Sequence, residues 1–490
     1  MLLTRAVRSL QFAIRPRPVA KYLGQLITGV GISTVVPLLV TFLSGEYRVA
    51  FHYLLVILFF AGCGIPCSRL RCSGDLQKNE AVTITVLAFV VSSLGLTVPL
   101  TAYGIGFADA LFEAVSAVTT TGLTVLSSME ARPASFLFAR AWVQWVGGLG
   151  IVVLAVAMMM EPGPAAKKLG FSEREVDDLA GGTRAHAKRV VLIYVLLTLL
   201  SLAAMLLAGV GFFDAITHVF AAVSTGGFST YDASLSALPS ALSRGVVMAA
   251  CVLGAVSFSI YYRGYQEGVM AALKAVELRA LVAACLLSTA LVMLLESASS
   301  AEGAAASLGD AMLIAVSAQA TAGFSDVPVA NLGDGSKLVL IASMFTGGDV
   351  GSTAGGIKIF RLLLLVRLVQ LMIIRASTPR GAVVDVRLGG TRMTTRELEV
   401  ALAVVFAYAA IVIVSWLPFL AHGYDPLDAL FEVVSAVSTA GLSAGIVGAE
   451  LEDSLKLLLC FDMWMGRVEI IAFLVVLYPA TWVGRRRRTT

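Results

Sequence analysis

Charge is scarce in this sequence: Asp, Glu, Lys and Arg supply only 14% of the 490 residues, and hydrophobic residues supply 58%. A soluble chain of this length carries about a quarter charged residues and could not hide so much apolar area in one core. Histidine is scarcer still, and the four present (His52, His186, His218, His422) form no cluster. Without an HExxH spacing or a nucleophile–base pattern, an enzyme reading has no residues to stand on. The six cysteines are scattered, and Cys63, Cys67 and Cys72 lack the CxxC pairs of a zinc site, so they read as reduced thiols. A long polar stretch that could fold as a separate soluble domain is also missing.

What the chain has instead is a succession of apolar runs, each of about 18 residues or more, the signature of membrane-spanning helices. The first, 22–43, is too long for a signal-peptide core and is followed at once by 50–67, so it reads as a retained helix. Four pairs of runs come next: 81–103 and 138–160, 189–210 and 241–262, 280–297 and 336–374, 397–420 and 452–480. Ten full crossings are expected.

A repeated segment lies between the runs of each pair. It opens on Asp109, Asp214, Asp310 and Asp428 and closes on Gly122, Gly227, Gly323 and Gly441, with 13 residues from Asp to Gly every time. From the Asp to the Thr/Ser cluster is about ten residues, which as a helix rise roughly 15 Å, half the hydrocarbon core. The next five, extended, climb roughly the same distance back. Each segment therefore reads as a re-entrant half-helix and strand, with the Asp as its N-cap. Extended backbone at membrane depth is tolerated only where protein buries it or a watery cavity is lined by it.

The fold class expected is an all-α polytopic membrane protein. Four helix–re-entrant P-loop–helix repeats surround one pseudo-fourfold pore, preceded by two extra transmembrane helices. The divisions fall at 1–72 (basic arm and two-helix preface), 73–165, 166–265, 266–390 (with an intramembrane loop at 346–356) and 391–490. Of 36 Lys and Arg, only Arg48, Arg132, Arg140, Arg244, Lys337 and Lys456 fall on the expected outer side, so both termini are expected in the cytoplasm.

The candidate ion ligands are backbone carbonyls of Thr119, Thr120, Thr121 and Gly122; Ser224, Thr225, Gly226 and Gly227; Ala320, Thr321, Ala322 and Gly323; and Ser438, Thr439, Ala440 and Gly441. Rings of neutral oxygens replace the water shell of a dehydrated cation. The half-helix C-termini aim negative dipole ends at the same place. The bland alternative is a set of helix breaks at small-residue packing interfaces, which four equal spacings disfavour. On the outer side, Glu46, Glu113, Glu130, Asp232, Asp326, Asp334, Asp425, Glu432, Glu450 and Asp453 would concentrate cations at the mouth.

Half of the ten residues from Gly347 to Gly356 are Gly (Gly347, Gly348, Gly351, Gly355, Gly356), so the long run 336–374 should break near mid-membrane. Arg467 lies deep in the last run, and an intramembrane charge normally faces a pore or a partner; Glu469, two residues on, points elsewhere on a helix. In the N-terminal arm, Leu3, Val7, Leu10 and Ile14 alternate with Arg5, Arg8 and Arg15, as in an interfacial basic helix.

The four-repeat plan with one central Gly per loop resembles the Trk/Ktr/HKT superfamily of potassium transporters. The two-helix preface and the runs 144–150 (QWVGGLG) and 344–348 (MFTGG) look most like its TrkH members. The resemblance covers nearly the whole chain. It implies potassium (K+) as the transported ion at the filter residues named above, because Gly occupies all four loops; Gln319-Ala320 is a mild departure in the third. It implies that the 347–356 loop and Arg467 gate the pore in a bacterial cytoplasmic membrane, with no organic cofactor in this chain. It also implies a homodimer with a cytoplasmic TrkA-type regulatory subunit responsive to ATP or NAD, for which the basic segments 167–189 and 361–396 offer a docking face. No nucleic acid is implied as a partner. The competing class is a proton- or sodium-coupled secondary carrier, whose broken helices usually come as two inverted repeats rather than four in one orientation.

Overall fold

The computed structural model describes residues 13–72, 76–159, 179–299, 307–377, 387–388, 391–392 and 395–483. The preface is α1 (Pro16–Ser33) running into α2 (Val35–Leu43), then α3 (Tyr47–Ser68). α1 and α3 meet along a seam of small residues. A side chain at Gly24 would strike the Gly64 carbonyl, and one at Gly64 would strike that of Gly24. Close backbone approach of this kind drives helix pairing where lipid removes the hydrophobic incentive.

Repeat 1 comprises α4 (Lys78–Thr101), the short α5 (Phe107–Val118) and α6 (Ala134–Met159). Repeat 2 comprises α7 (Leu179–Leu207), the short α8 (Phe212–Val223), α9 (Ala241–Ala255), α10 (Phe258–Glu267) and a turn of helix, α11 (Val269–Leu273). Repeat 3 has α12 (Val276–Ser299), the short α13 (Leu308–Gln319), α14 (Asp334–Thr346) and α15 (Ile359–Ala376), then a hairpin of β1 (Arg387–Leu388) and β2 (Thr391–Arg392). Repeat 4 has α16 (Thr395–Ala421), the short α17 (Pro426–Val437), α18 (Asp453–Val468), α19 (Ile470–Leu477) and the terminal turn α20 (Pro479–Trp482).

Among the described residues, six helices are long and apolar enough to cross a membrane. They are the α1–α2 span, α3 and the first helix of every repeat. The chain is thus a multi-pass membrane protein, and the large side chains that α12 and α16 expose, among them Leu286, Leu287, Phe406 and Val414, suit lipid rather than water.

Besides the break expected in 336–374, two of the other second runs are also not single helices. The run 241–262 is not one helix: α9 and α10 meet at 87°. The run 452–480 is cut at Glu469, where φ is +68°. Neither break carries the Gly or Pro that would announce it. The first is stabilised from outside: the carbonyls of Gly254 and Ala255 accept from the N–H groups of Thr353 (3.1 Å) and Asp349 (3.0 Å), and Phe258 N–H donates to the Gly351 carbonyl (3.2 Å). Backbone groups freed inside a membrane must find such partners.

Of the N-terminal arm, the described residues include only Ile14 and Arg15 of those named. Leu3, Val7, Leu10, Arg5 and Arg8 lie outside the described residues. Ile14, however, is buried, and its N–H donates to the Thr481 carbonyl at 2.9 Å. Arg15 grips Glu80 through Nε (2.7 Å) and Nη2 (2.8 Å) rather than facing lipid headgroups. Of the basic segments expected to dock a partner, 167–178 also lies outside the described residues, while 361–376 is helical as part of α15.

Candidate functional site

The four short helices are built alike. In each, the repeated Asp sits at the third helical position, not at the N-cap: the caps are Gly106, Gly211, Ser307 and Asp425. A carboxylate one turn in still complements the positive end of the helix, and its side chain is free to reach elsewhere. Asp109 takes Lys456 at 2.7 Å, and Asp428 takes Lys337 at 2.6 Å. Asp214 accepts from Thr230 Oγ1 (2.7 Å) and the Tyr231 hydroxyl (3.0 Å).

At the other end all four helices close with the same double hydrogen bond. Thr121 N–H reaches the Ser116 carbonyl (2.9 Å), and Thr120 N–H the Ala117 carbonyl (3.1 Å), with matching pairs in the other repeats. This is a Schellman stop, whose pivot residue is left-handed and usually Gly. Here the pivots are Thr120, Thr225, Thr321 and Thr439, with φ between +49° and +53°. A β-branched residue there costs of order 1–3 kcal/mol. Four in register are a built feature: they turn the chain from helix to extended strand within one residue.

Each strand then passes through its glycine, and the four glycines close a ring. A Cβ at Gly122 would enter the Gly226 carbonyl, one at Gly227 the Ala322 carbonyl, one at Gly323 the Ala440 carbonyl, and one at Gly441 the Thr121 carbonyl. Repeat 1 thus abuts 2, 2 abuts 3, 3 abuts 4 and 4 abuts 1. The φ values at these glycines, +73° to +92°, add a second reason why no side chain fits.

Not every carbonyl in the set is free. That of Gly226 accepts from Gln144 Nε2 on α6 (2.6 Å), that of Ser224 from Thr225 Oγ1 (2.7 Å), and that of Ser438 from Gly356 N–H (3.1 Å). Behind the strands stand two carboxylates that the sequence reading placed at the outer mouth. Glu113 and Glu432 are wholly buried. Glu113 accepts from Thr124 Oγ1 (2.6 Å) and Val125 N–H (3.0 Å); Glu432 accepts from Ser443 Oγ (2.6 Å) and Ile446 N–H (3.1 Å). His218 does the same for Ser229, at 3.0 Å.

Above the ring, one basic residue from the second helix of each repeat reaches the next repeat. Arg140 pairs with Glu113 of its own repeat (2.9 Å) and lies over the Phe228 ring of repeat 2 at 3.7 Å. Arg244 faces Asp326 of repeat 3 at 3.7 Å, and the Lys337 and Lys456 pairs given above complete the circuit. Sequence reasoning treated these four only as exceptions to the inside-positive count. Their recurrence, once per repeat, was the signal that could have assigned them.

Below the ring, residues 347–358 form the expected break between α14 and α15. Gly347 is left-handed (φ +64°), as are Gly351 and Gly356 (φ +76° and +74°). Gly348 packs against Ala354 and Ala255, and a Cβ at Gly355 would enter the Ser438 carbonyl. Arg467, 5% exposed, donates from Nη1 to the Thr353 carbonyl at 2.7 Å. Glu469 does point elsewhere, to Arg361 at 2.8 Å. A cavity of about 280 Å³ lies beside this loop, lined in part by Lys358, Arg361, Tyr408, Arg467 and Glu469.

Residues 49–480 match the TrkH family, described as a cation transport protein. A Trk system potassium uptake protein TrkH from Vibrio parahaemolyticus is 31% identical over 95% of this chain and 99% of its own length. An uncharacterized cation transporter of Methanocaldococcus jannaschii is 30% identical over 93% of this chain and 94% of its own. The crystal structure of the potassium transporter TrkH from Vibrio parahaemolyticus superposes with a TM-score of 0.83 at 30% identity, covering 96% of this chain and all of that one. With its ring of four loops and these relatives, the chain belongs to the TrkH family of cation transport proteins.

Proposed function

We propose that this chain takes up potassium across a bacterial cytoplasmic membrane through a channel-like pore on the axis of the four loops. The carrying observation is the cyclic abutment of Gly122, Gly227, Gly323 and Gly441 on one another's strands. It supports a reading in which backbone carbonyls, not side chains, surround the axis, and such oxygens suit a dehydrated monovalent cation. The potassium uptake named for the relatives supports the choice of ion. On this reading the 347–356 loop, pinned by Arg467, is the gate. The guanidinium both holds the loop and raises the electrostatic cost of a passing cation.

The assembly is read as a homodimer whose gate is set by a cytoplasmic TrkA-type subunit that senses ATP or NAD, with both termini of this chain on the same side. The test is growth of potassium-uptake-deficient cells expressing the chain with a matching regulator. Wild type should rescue growth at low potassium, and Gly323→Ser should admit sodium. Failure of the wild type to rescue would sink the potassium reading; an unchanged ion preference in Gly323→Ser would sink the filter assignment.

A further inference from the structure

Three of the four repeats hold their filter strand in the same two ways, and the third repeat uses neither. The first way is a polar side chain four residues after the repeated Asp. Glu113, His218 and Glu432 each bond the Thr or Ser two residues past the filter Gly, at 2.6 to 3.0 Å. In repeat 3 that position is Ile314, fully buried, and the Ser325 hydroxyl turns to the Val327 carbonyl instead.

The second way is a glycine on the second helix, packed on the last carbonyl of the short helix. Gly147 lies on Val118, Gly254 on Val223 and Gly466 on Val437, each so close that a Cβ would overlap the carbonyl. In repeat 3 the corresponding short-helix residue is Gln319, and the helix it should pack on has already ended at Thr346. The Gln319 amide instead donates to the Gly347 carbonyl (2.7 Å) and to Thr346 Oγ1 (2.9 Å). Two residues on, Thr321 Oγ1 accepts from Gly355 N–H at 2.6 Å.

The inner end of strand 3 is therefore fastened to the intramembrane loop at both of the loop's ends. Its outer end hangs on repeat 2, through Leu235 N–H to the Ser325 carbonyl (2.9 Å) and Ser325 N–H to Ser234 Oγ (3.3 Å). Strand 4 also touches the loop, through Gly356 N–H, but keeps its brace on Glu432.

We infer that Gln319 and Thr321 couple the gate to the filter, so that displacing the 347–358 loop loosens strand 3 most and lowers ion selectivity while the gate is open. The inference rests on the potassium-pore reading. Moving the loop removes the Gln319–Gly347 and Thr321–Gly355 hydrogen bonds from repeat 3. It also frees the Val223 carbonyl from Thr353 Oγ1 and the Ser438 carbonyl from Gly356 N–H, but the Glu113, His218 and Glu432 braces stay in place. Gln319 and Thr321 are positioning residues, since neither side chain is aimed at the axis by these bonds.

The test uses the full chain in proteoliposomes, reading potassium flux and the potassium-to-sodium permeability ratio. Gln319→Val installs the residue of the other three repeats; Thr321→Val keeps the shape and removes only the acceptor. Both should raise flux and lower the permeability ratio by about fivefold, the effect of roughly one hydrogen bond. Adding Ile314→Gln to Gln319→Val supplies the missing brace, and it should restore the ratio while flux stays high. A rise in flux with the ratio of the wild type, or no change in either quantity in well-folded Thr321→Val, would overturn the coupling. Absence of potassium-selective flux in the wild type would instead reject the underlying pore reading, so the two failures are distinguishable.

Discussion

On the topology proposed above, the outer and inner halves of the four-loop ring are held by different kinds of interaction. The outer half is nearly fourfold: every repeat lends a basic side chain from its second helix to its neighbour, and the strand pivots repeat within 4° of φ. The inner half has no such symmetry. One loop from repeat 3 reaches strands 3 and 4, the break between α9 and α10, and Arg467 of repeat 4. Cyclic, charge-paired contacts suit a part that must keep its shape. A single glycine-rich segment held by a few hydrogen bonds suits a part that moves.

The sharpest way to break the outer half is at its glycines. Gly441→Ala places a methyl in the Thr121 carbonyl at a φ of +85°, and potassium flux should fall by on the order of tenfold or more, read in liposome uptake. Retained flux would mean that the ring is looser than its packing. Next comes the inner half. Arg467→Ala deletes the donor to Thr353, and basal flux should rise about tenfold, the population shift expected from one hydrogen bond to a charged group. If flux and its regulation stay put, Arg467 is not the pin.

Smaller effects belong to the inter-repeat pairs. Lys456→Met strands Asp109, which is 28% exposed, so the loss should be roughly 1–2 kcal/mol and not that of a fully buried pair, read as a lower melting temperature. Asp428→Asn with Lys337→Met should lose less than the two single changes summed, if the pair acts as a unit. The smallest effect concerns pH. In the loop after the third filter glycine, burial first and the charge of Asp310 second raise the Asp326 carboxyl from 3.8 to about 6, against the pull of Arg244. A raised folded-state value means that protonation favours the fold. This contribution is whole below pH 3.8 and is lost as pH rises to about 6. Asp326→Asn should flatten the stability profile over that window, and an unchanged slope would remove Asp326 from the account.

Much of this was legible beforehand because it is periodic. The 13-residue spacing, the four glycines, the break at 347–356 and the divergence of Arg467 from Glu469 all follow from local sequence and helix geometry. What escaped notice depends on partners distant in the chain. The bend at Val256 and Ser257 is stabilised by Asp349 and Thr353, and no window around it contains them. Glu113 and Glu432 read as mouth acids because nothing local shows that the strand folds back over them. The Asp was assigned one turn too early because the capping glycines at 106 and 211 carry no side-chain signature. The threonine pivots were visible as an invariant of the four copies, but a left-handed Thr runs against propensity.

If the four-loop axis conducts potassium, the protein alone should show it. The measurement is the reversal potential of the purified wild-type chain in a planar bilayer, with potassium on one side and sodium on the other. Potassium conduction should give resolved unitary currents whose reversal potential lies toward the potassium equilibrium. A reversal near zero, or flux obtained only when a proton or sodium gradient drives it, would rule out a potassium-selective pore on this axis.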